Sequence, residues 1–298
     1  MSHFTVMVFG DDVEEQLQPF HEFECTGEND EYVQDIEVTD ELQERIDDGD
    51  DLEDALGWYG LEDKVVEDES EVDTDEEHKY GYAVVKDGVL IKAVNRTNPD
   101  RKWDWYQVGG RWSGFLKLKE GAVGENGERS WMNSGEANES GFCDSALKGD
   151  IDIEGMRKAT EEEASDRWDL VNKASGGVLW ESWESVRERV GNIDEARDEY
   201  NGQEILKKLR SNEEVKNLLF WEADQYLASK EDYVKEHRDG AISTFAVLKD
   251  GVWYERGDMG WWGCVSDEKD KDDWNSEVAK LIDSVSDDTR ITIVDCHI

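Results

Sequence analysis

Residues 82–94 read YAVVKDGVLIKAV, two apolar runs joined by Asp87-Gly88. A two-residue Asp-Gly connection is a strong hairpin signal, because both turn positions need positive φ. The stretch therefore predicts an antiparallel strand pair. The phrase recurs as FAVLKDGVW at 245–253, with Asp250-Gly251 at the turn. Each copy is followed by a glycine–tryptophan cluster, GGRWSGF at 109–115 and MGWWGCV at 259–265. An internal duplication explains this pattern, and so does a good hairpin used twice with different spacing. Between the copies the pattern is helical. The predicted class is α+β, with antiparallel sheets and β-hairpins flanking a helical middle segment.

Outward from the hairpins, His3 to Gly10 alternates as a strand, with Phe4, Val6 and Val8 on one face and Thr5, Met7 and Phe9 on the other. Asp11, Asp12, Glu14 and Glu15 open a short helix that Pro19 ends. Thr39 to Leu56 reads as one acidic helix, and VEDESEVDTDEEH at 66–78 as a solvated loop or linker that buries little. Thr160-x-x-Glu163 and Ser211-x-x-Glu214 read as capping boxes. Long helical patterns run to Lys173 and from Ser211 to His237, with two shorter helices between them. Val278, Leu281, Ile282 and Val285 form a helix stripe, and TRITIVDCHI at 289–298 a closing strand. The division expected is an acidic α+β domain at 1–150, a helical segment at 151–240 and an α/β unit at 241–298.

The chain has 298 residues and a net charge of -43. Such charge opposes collapse, but thirteen tryptophans, nine tyrosines, eight phenylalanines and only two prolines indicate a folded protein. Residues 1–80 hold 30 acidic and 3 basic side chains, whereas residues 81–120 hold 8 basic and 4 acidic. Direct binding to nucleic acid or an anionic membrane is disfavoured, and a basic protein surface is favoured. No apolar run approaches the roughly 18 residues of a membrane span, and MSHFTVMVFG lacks the basic region and cleavage site of a signal peptide. Cys25, Cys143, Cys264 and Cys296 are far apart, which fits reduced thiols in a cytoplasm.

The segment KWDWYQVGGRWSGF, 102–115, concentrates aromatic surface in the one locally basic region. Alternation places Trp103 and Trp105 on one face and Asp104 and Tyr106 on the other, with Gly109-Gly110 as a tight turn and Arg111 and Trp112 on a return strand. Core packing at a sheet-to-turn corner is the favoured reading. An interface built on Trp103, Trp105, Tyr106, Arg111, Trp112, Trp261 and Trp262 is the functional one. Asp47, Asp48, Asp50 and Asp51, in DDGDDLED, lack the order of a calcium loop and read as a solvated acidic face. His21-x-x-x-Cys25 and Cys296-His297 supply zinc-type donors, but at a spacing that matches no common zinc module. No phosphate-binding glycine motif, nucleophile elbow or metalloprotease motif is present, so no catalytic residue, cofactor or metal is expected.

MSHFTVMVFG at 1–10, PFHEFECTG at 19–27, YVQD at 32–35, WYQVGGRWSGF at 105–115, VWYERGDMGWWG at 252–263 and IVDCHI at 293–298 together resemble a family of phage-encoded proteins of uncharacterised type. In length, acidity and apparent phage origin the chain is also similar to Gabija anti-defence proteins. These viral inhibitors assemble around the bacterial Gabija nuclease–helicase complex and block its DNA binding and cleavage. That resemblance implies a host defence complex as partner, the host cytoplasm as location and no catalysis. Self-association is compatible with it. No motif aligns to carry over a functional residue. Two other classes are an enzyme on a small molecule, with the Trp/Gly clusters lining a pocket, and a phage structural or assembly component.

Overall fold

The computed structural model describes residues 2–22, 30–127, 141–219, 222–260 and 263–298. Along the chain these form β1 (His3–Phe9), α1 (Val13–Leu17), β2 (Gln34–Glu37), α2 (Thr39–Asp48), α3 (Leu52–Gly57), β3 (Val65–Val66), β4 (Gly81–Lys86), β5 (Val89–Thr97), β6 (Trp105–Val108), β7 (Leu116–Lys117), β8 (Phe142–Cys143) and β9 (Ser145–Leu147). There follow α4 (Ile153–Ser175), α5 (Trp183–Val190), α6 (Ile193–Gly202), α7 (Glu204–Arg210), α8 (Lys230–Asp239), β10 (Ala246–Lys249), β11 (Val252–Glu255), β12 (Asp258–Met259), β13 (Val265–Ser266), α9 (Lys271–Ser284) and β14 (Arg290–His297). The fold is α+β, with mixed and antiparallel sheets around a helical middle segment.

Both Asp-Gly hairpins form as their turn chemistry dictates. Asp87 and Gly88 have φ of 53° and 80°, and Asp250 and Gly251 have 54° and 74°. Their surroundings differ. The first hairpin is the centre of a four-stranded sheet ordered β2-β5-β4-β3, whereas the second is the end of a larger sheet ordered β11-β10-β1-β14-β6. β9 joins the larger sheet by pairing with the first half of β14.

β1 lies at the centre of the larger sheet, parallel to β10 and antiparallel to β14. Its alternation is the one predicted, and both faces are buried. Met7 and Phe9 enter a core with Trp274, Val278 and Ile282 of α9, while Phe4, Val6 and Val8 enter a second core with Leu17 and Trp103. Strands from 1–150 and 241–298 thus share one sheet, so the boundaries at 150 and 240 do not separate sheets.

Five local expectations are corrected. The acidic helix is two helices: Gly49, at φ 118°, ends α2, and the Asp51 carboxylate accepts from the Asp54 N–H to start α3. Segment 66–78 is not a solvated linker. Val66 pairs with β4, and Val66 and Val72 cover the face of Tyr82, Val84 and Val94 that α2 and α3 leave open. His78 is buried, its Nδ1 accepting from the Asp73 N–H. Thr160 lies inside α4, where its hydroxyl donates to the Met156 carbonyl one turn back; the cap is Asp152, eight residues earlier. The pattern from Ser211 to His237 is broken into 3-10 turns before Ser229 caps α8, and three helices, not two, separate α4 from that region.

Candidate functional site

The aromatic segment separates into buried and exposed parts. Trp103 precedes β6 rather than lying in it, is 4% exposed, and donates its indole N–H to the Leu17 carbonyl. Tyr106 packs edge-on against it, with ring centres 5.0 Å apart. Trp105 is 49% exposed. The predicted pairing of Trp103 with Trp105 on one face therefore fails, because regular alternation begins only at Trp105. Arg111 and Trp112 lie in a turn, not on a return strand, and Trp112 rests half-buried on the α9 side of the core. β6 pairs with β14 instead. Trp261 and Trp262 lie outside the described residues.

The glycines at 109–114 hold two buried carboxylates. β6 covers the second half of β14 and β9 the first half. At the changeover, Ile293 accepts from the Gly109 N–H and donates to the Asp144 carbonyl. The fully buried Asp144 side chain accepts from Ser113 Oγ (3.1 Å), the Gly114 N–H (2.5 Å) and the Gly127 N–H (2.8 Å). Asp295, 1% exposed, accepts from the Arg111 N–H at 2.9 Å and from His3 Nδ1 at 2.7 Å. A Cβ on Gly109 would stand 2.3 Å from Asp144 Oδ2, and one on Gly110 2.5 Å from the Asp295 side chain. Close approach to carboxylate, together with positive φ, is why two glycines stand here.

Beside this turn, at the end of the sheet, two histidines face each other across β1 and β14. His3 is opposite His297, and His297 is opposite Trp105. The two imidazoles are 4.9 Å apart, and the His3 ring is 6.1 Å from the Trp105 indole. His297 Nδ1 is 2.6 Å from the Asp104 carboxylate. Two His–Asp pairs thus stand side by side, one carboxylate buried and the other 41% exposed. His3, Asp104, Asp144 and Asp295 are not among the site residues expected from sequence. An aspartate inside the apolar run ITIVDCHI was the readable signal, since an acid in a central strand needs partners.

Of the zinc-type donors, His21, Cys296 and His297 lie within the described residues, and they form no metal-binding cluster there. His21 stacks on Trp103 at 4.3 Å, the Cys296 thiol is buried and pushed well up by that burial, and Cys25 lies outside the described residues. Among the described residues, no cluster of three or more His, Cys, Asp or Glu side chains is arranged to hold a metal ion. An open cleft of about 1140 Å³ lies elsewhere, between α4 and α8; it is lined mostly by charged side chains and by no aromatic one.

The second feature is the acidic face of α2 and α3. Asp40, Glu41, Glu44, Asp47, Asp48, Asp51, Glu53 and Asp54 are exposed, and Asp50 is half-buried. Arg45 is the one basic residue in 39–57. It pairs with Asp50 at 2.7 Å and covers the ring of Trp58, itself 66% exposed, at 4.4 Å. Asp47 accepts from Gln43, and Asp51 caps α3. Among the described residues, no helix is long and apolar enough to cross a membrane. No family model matches the chain, and neither curated proteins nor solved structures give a significant match.

Proposed function

We propose that this chain is a phage anti-defence protein. In this reading it binds a host immune complex of the Gabija nuclease–helicase kind through its acidic N-terminal face and blocks that complex from binding and cutting DNA. The observation that carries the reading is the face itself. Eight exposed carboxylates lie on two adjoining short helices, and the single arginine among them is already paired. An enzyme that cuts DNA presents a basic surface to the phosphate backbone, and a dense carboxylate face competes for the same surface. Exposed Trp58, within that face, adds an aromatic contact of the kind that dominates interface energetics.

The burial of Trp103 and the seating of Trp112 on the core move the expected interface away from these two residues, leaving Trp105 and Arg111 at the surface. A pull-down from cells carrying the defence system tests the proposal. The wild-type chain should retain the defence complex, and a variant with Asp47, Asp48, Asp50 and Asp51 all changed to Asn should lose most of it. Recovery of virion proteins instead would point to phage assembly. Recovery of no partner would overturn the reading and favour the enzyme alternative.

A further inference from the structure

We propose that His3 and His297 form a binding site for one divalent transition cation of the zinc type, held by the two Nε2 atoms with water completing the shell. A carboxylate oxygen only accepts, so a neutral imidazole bonded to it through Nδ1 carries its proton there. In that neutral form each Nε2 keeps its lone pair, and neither Nε2 has a hydrogen-bond partner among the described residues. Histidines that bind metal characteristically donate the other ring N–H to a carboxylate, which fixes the ring and raises its basicity. Here Asp295 and Asp104 occupy that role at 2.7 and 2.6 Å.

The spacing fits as well. Two imidazoles sharing a tetrahedral cation have ring centres about 5 Å apart, given cation–nitrogen distances of about 2.0–2.1 Å. The rings of His3 and His297 are 4.9 Å apart, and their strand register places them directly opposite each other. Their side chains are 16% and 13% exposed, which leaves a route for a cation and its waters. Imidazole nitrogen selects zinc, copper or nickel over magnesium and calcium, which prefer oxygen. The net charge of -43 raises the local concentration of any cation, so selectivity rests on the nitrogens.

Zinc titration by calorimetry tests the site, with millimolar magnesium present to occupy the surface carboxylates. The wild-type chain should bind one zinc per molecule, and His3→Gln and His297→Gln should each weaken binding at least ~10-fold. Asp104→Asn should weaken it about 10–100-fold without changing the stoichiometry. Asp104 is exposed, so that variant remains decisive should a histidine variant fold poorly. Absence of saturable zinc binding, or binding that survives in the folded histidine variants, would overturn the proposal. A thiolate-to-cobalt charge-transfer band on cobalt substitution would place the cation on a cysteine and overturn it equally.

Discussion

Asp144 shows how much a single residue organises. Its carboxylate gathers three donors from two points of the chain, 113–114 and 127, and a fully buried carboxylate with good partners is strongly destabilising to disturb. Asp144→Asn turns an amide donor toward donors. It should cost on the order of 3 kcal/mol, seen as a lower urea midpoint at unchanged slope. Asp47→Asn, on the exposed face, should stay within about 0.5 kcal/mol. Equal effects would mean that the turn does not depend on its carboxylate. The sequence revealed that 109–115 was special, but not why. Ser113 is 31 residues from Asp144, and Arg111 is 184 from Asp295. A pairing across such separations leaves no local pattern to read.

At the scale of elements, legibility follows locality. The two hairpins, β1 and the stripe of α9 were legible because turn chemistry and periodicity lie within a few residues of one another. The start of α4 was misplaced because Thr160-x-x-Glu163 satisfies a local rule that Asp152 had already met eight residues earlier. Segment 66–78 was misread because charge hid two valines that cover a sheet face. The contact of α8 with α9 carries a pH-sensitive pair. Partial desolvation and a hydrogen bond with Glu236 push the Asp272 carboxyl up to about 6. Folding therefore favours its protonated form. That contribution is complete below the ordinary value of 3.8 and is lost as pH rises through about 6. Acidification from pH 7 to pH 5 should raise the melting temperature of the wild type relative to Asp272→Asn. A constant difference between the two proteins would contradict the shared proton.

At the scale of the whole molecule, charge and fold are arranged separately. The aromatic residues are divided between cores on both faces of the larger sheet and the core of the helical segment, and most carboxylates of residues 30–80 lie exposed around the smaller sheet. Composition alone made that charge legible, but only the fold shows which carboxylates point outward and which, like Asp144 and Asp295, are enclosed. The central functional claim is that the outward acid occupies a DNA-binding surface. The most direct measurement is the affinity of the chain for the purified Gabija complex as salt rises, with double-stranded DNA as competitor. Exposed charge is screened within about 8 Å at physiological ionic strength. The account predicts at least ~10-fold weaker binding between about 50 and 200 mM salt, and displacement by DNA. Affinity that survives both salt and DNA would contradict it, and would place the contact on apolar surface instead.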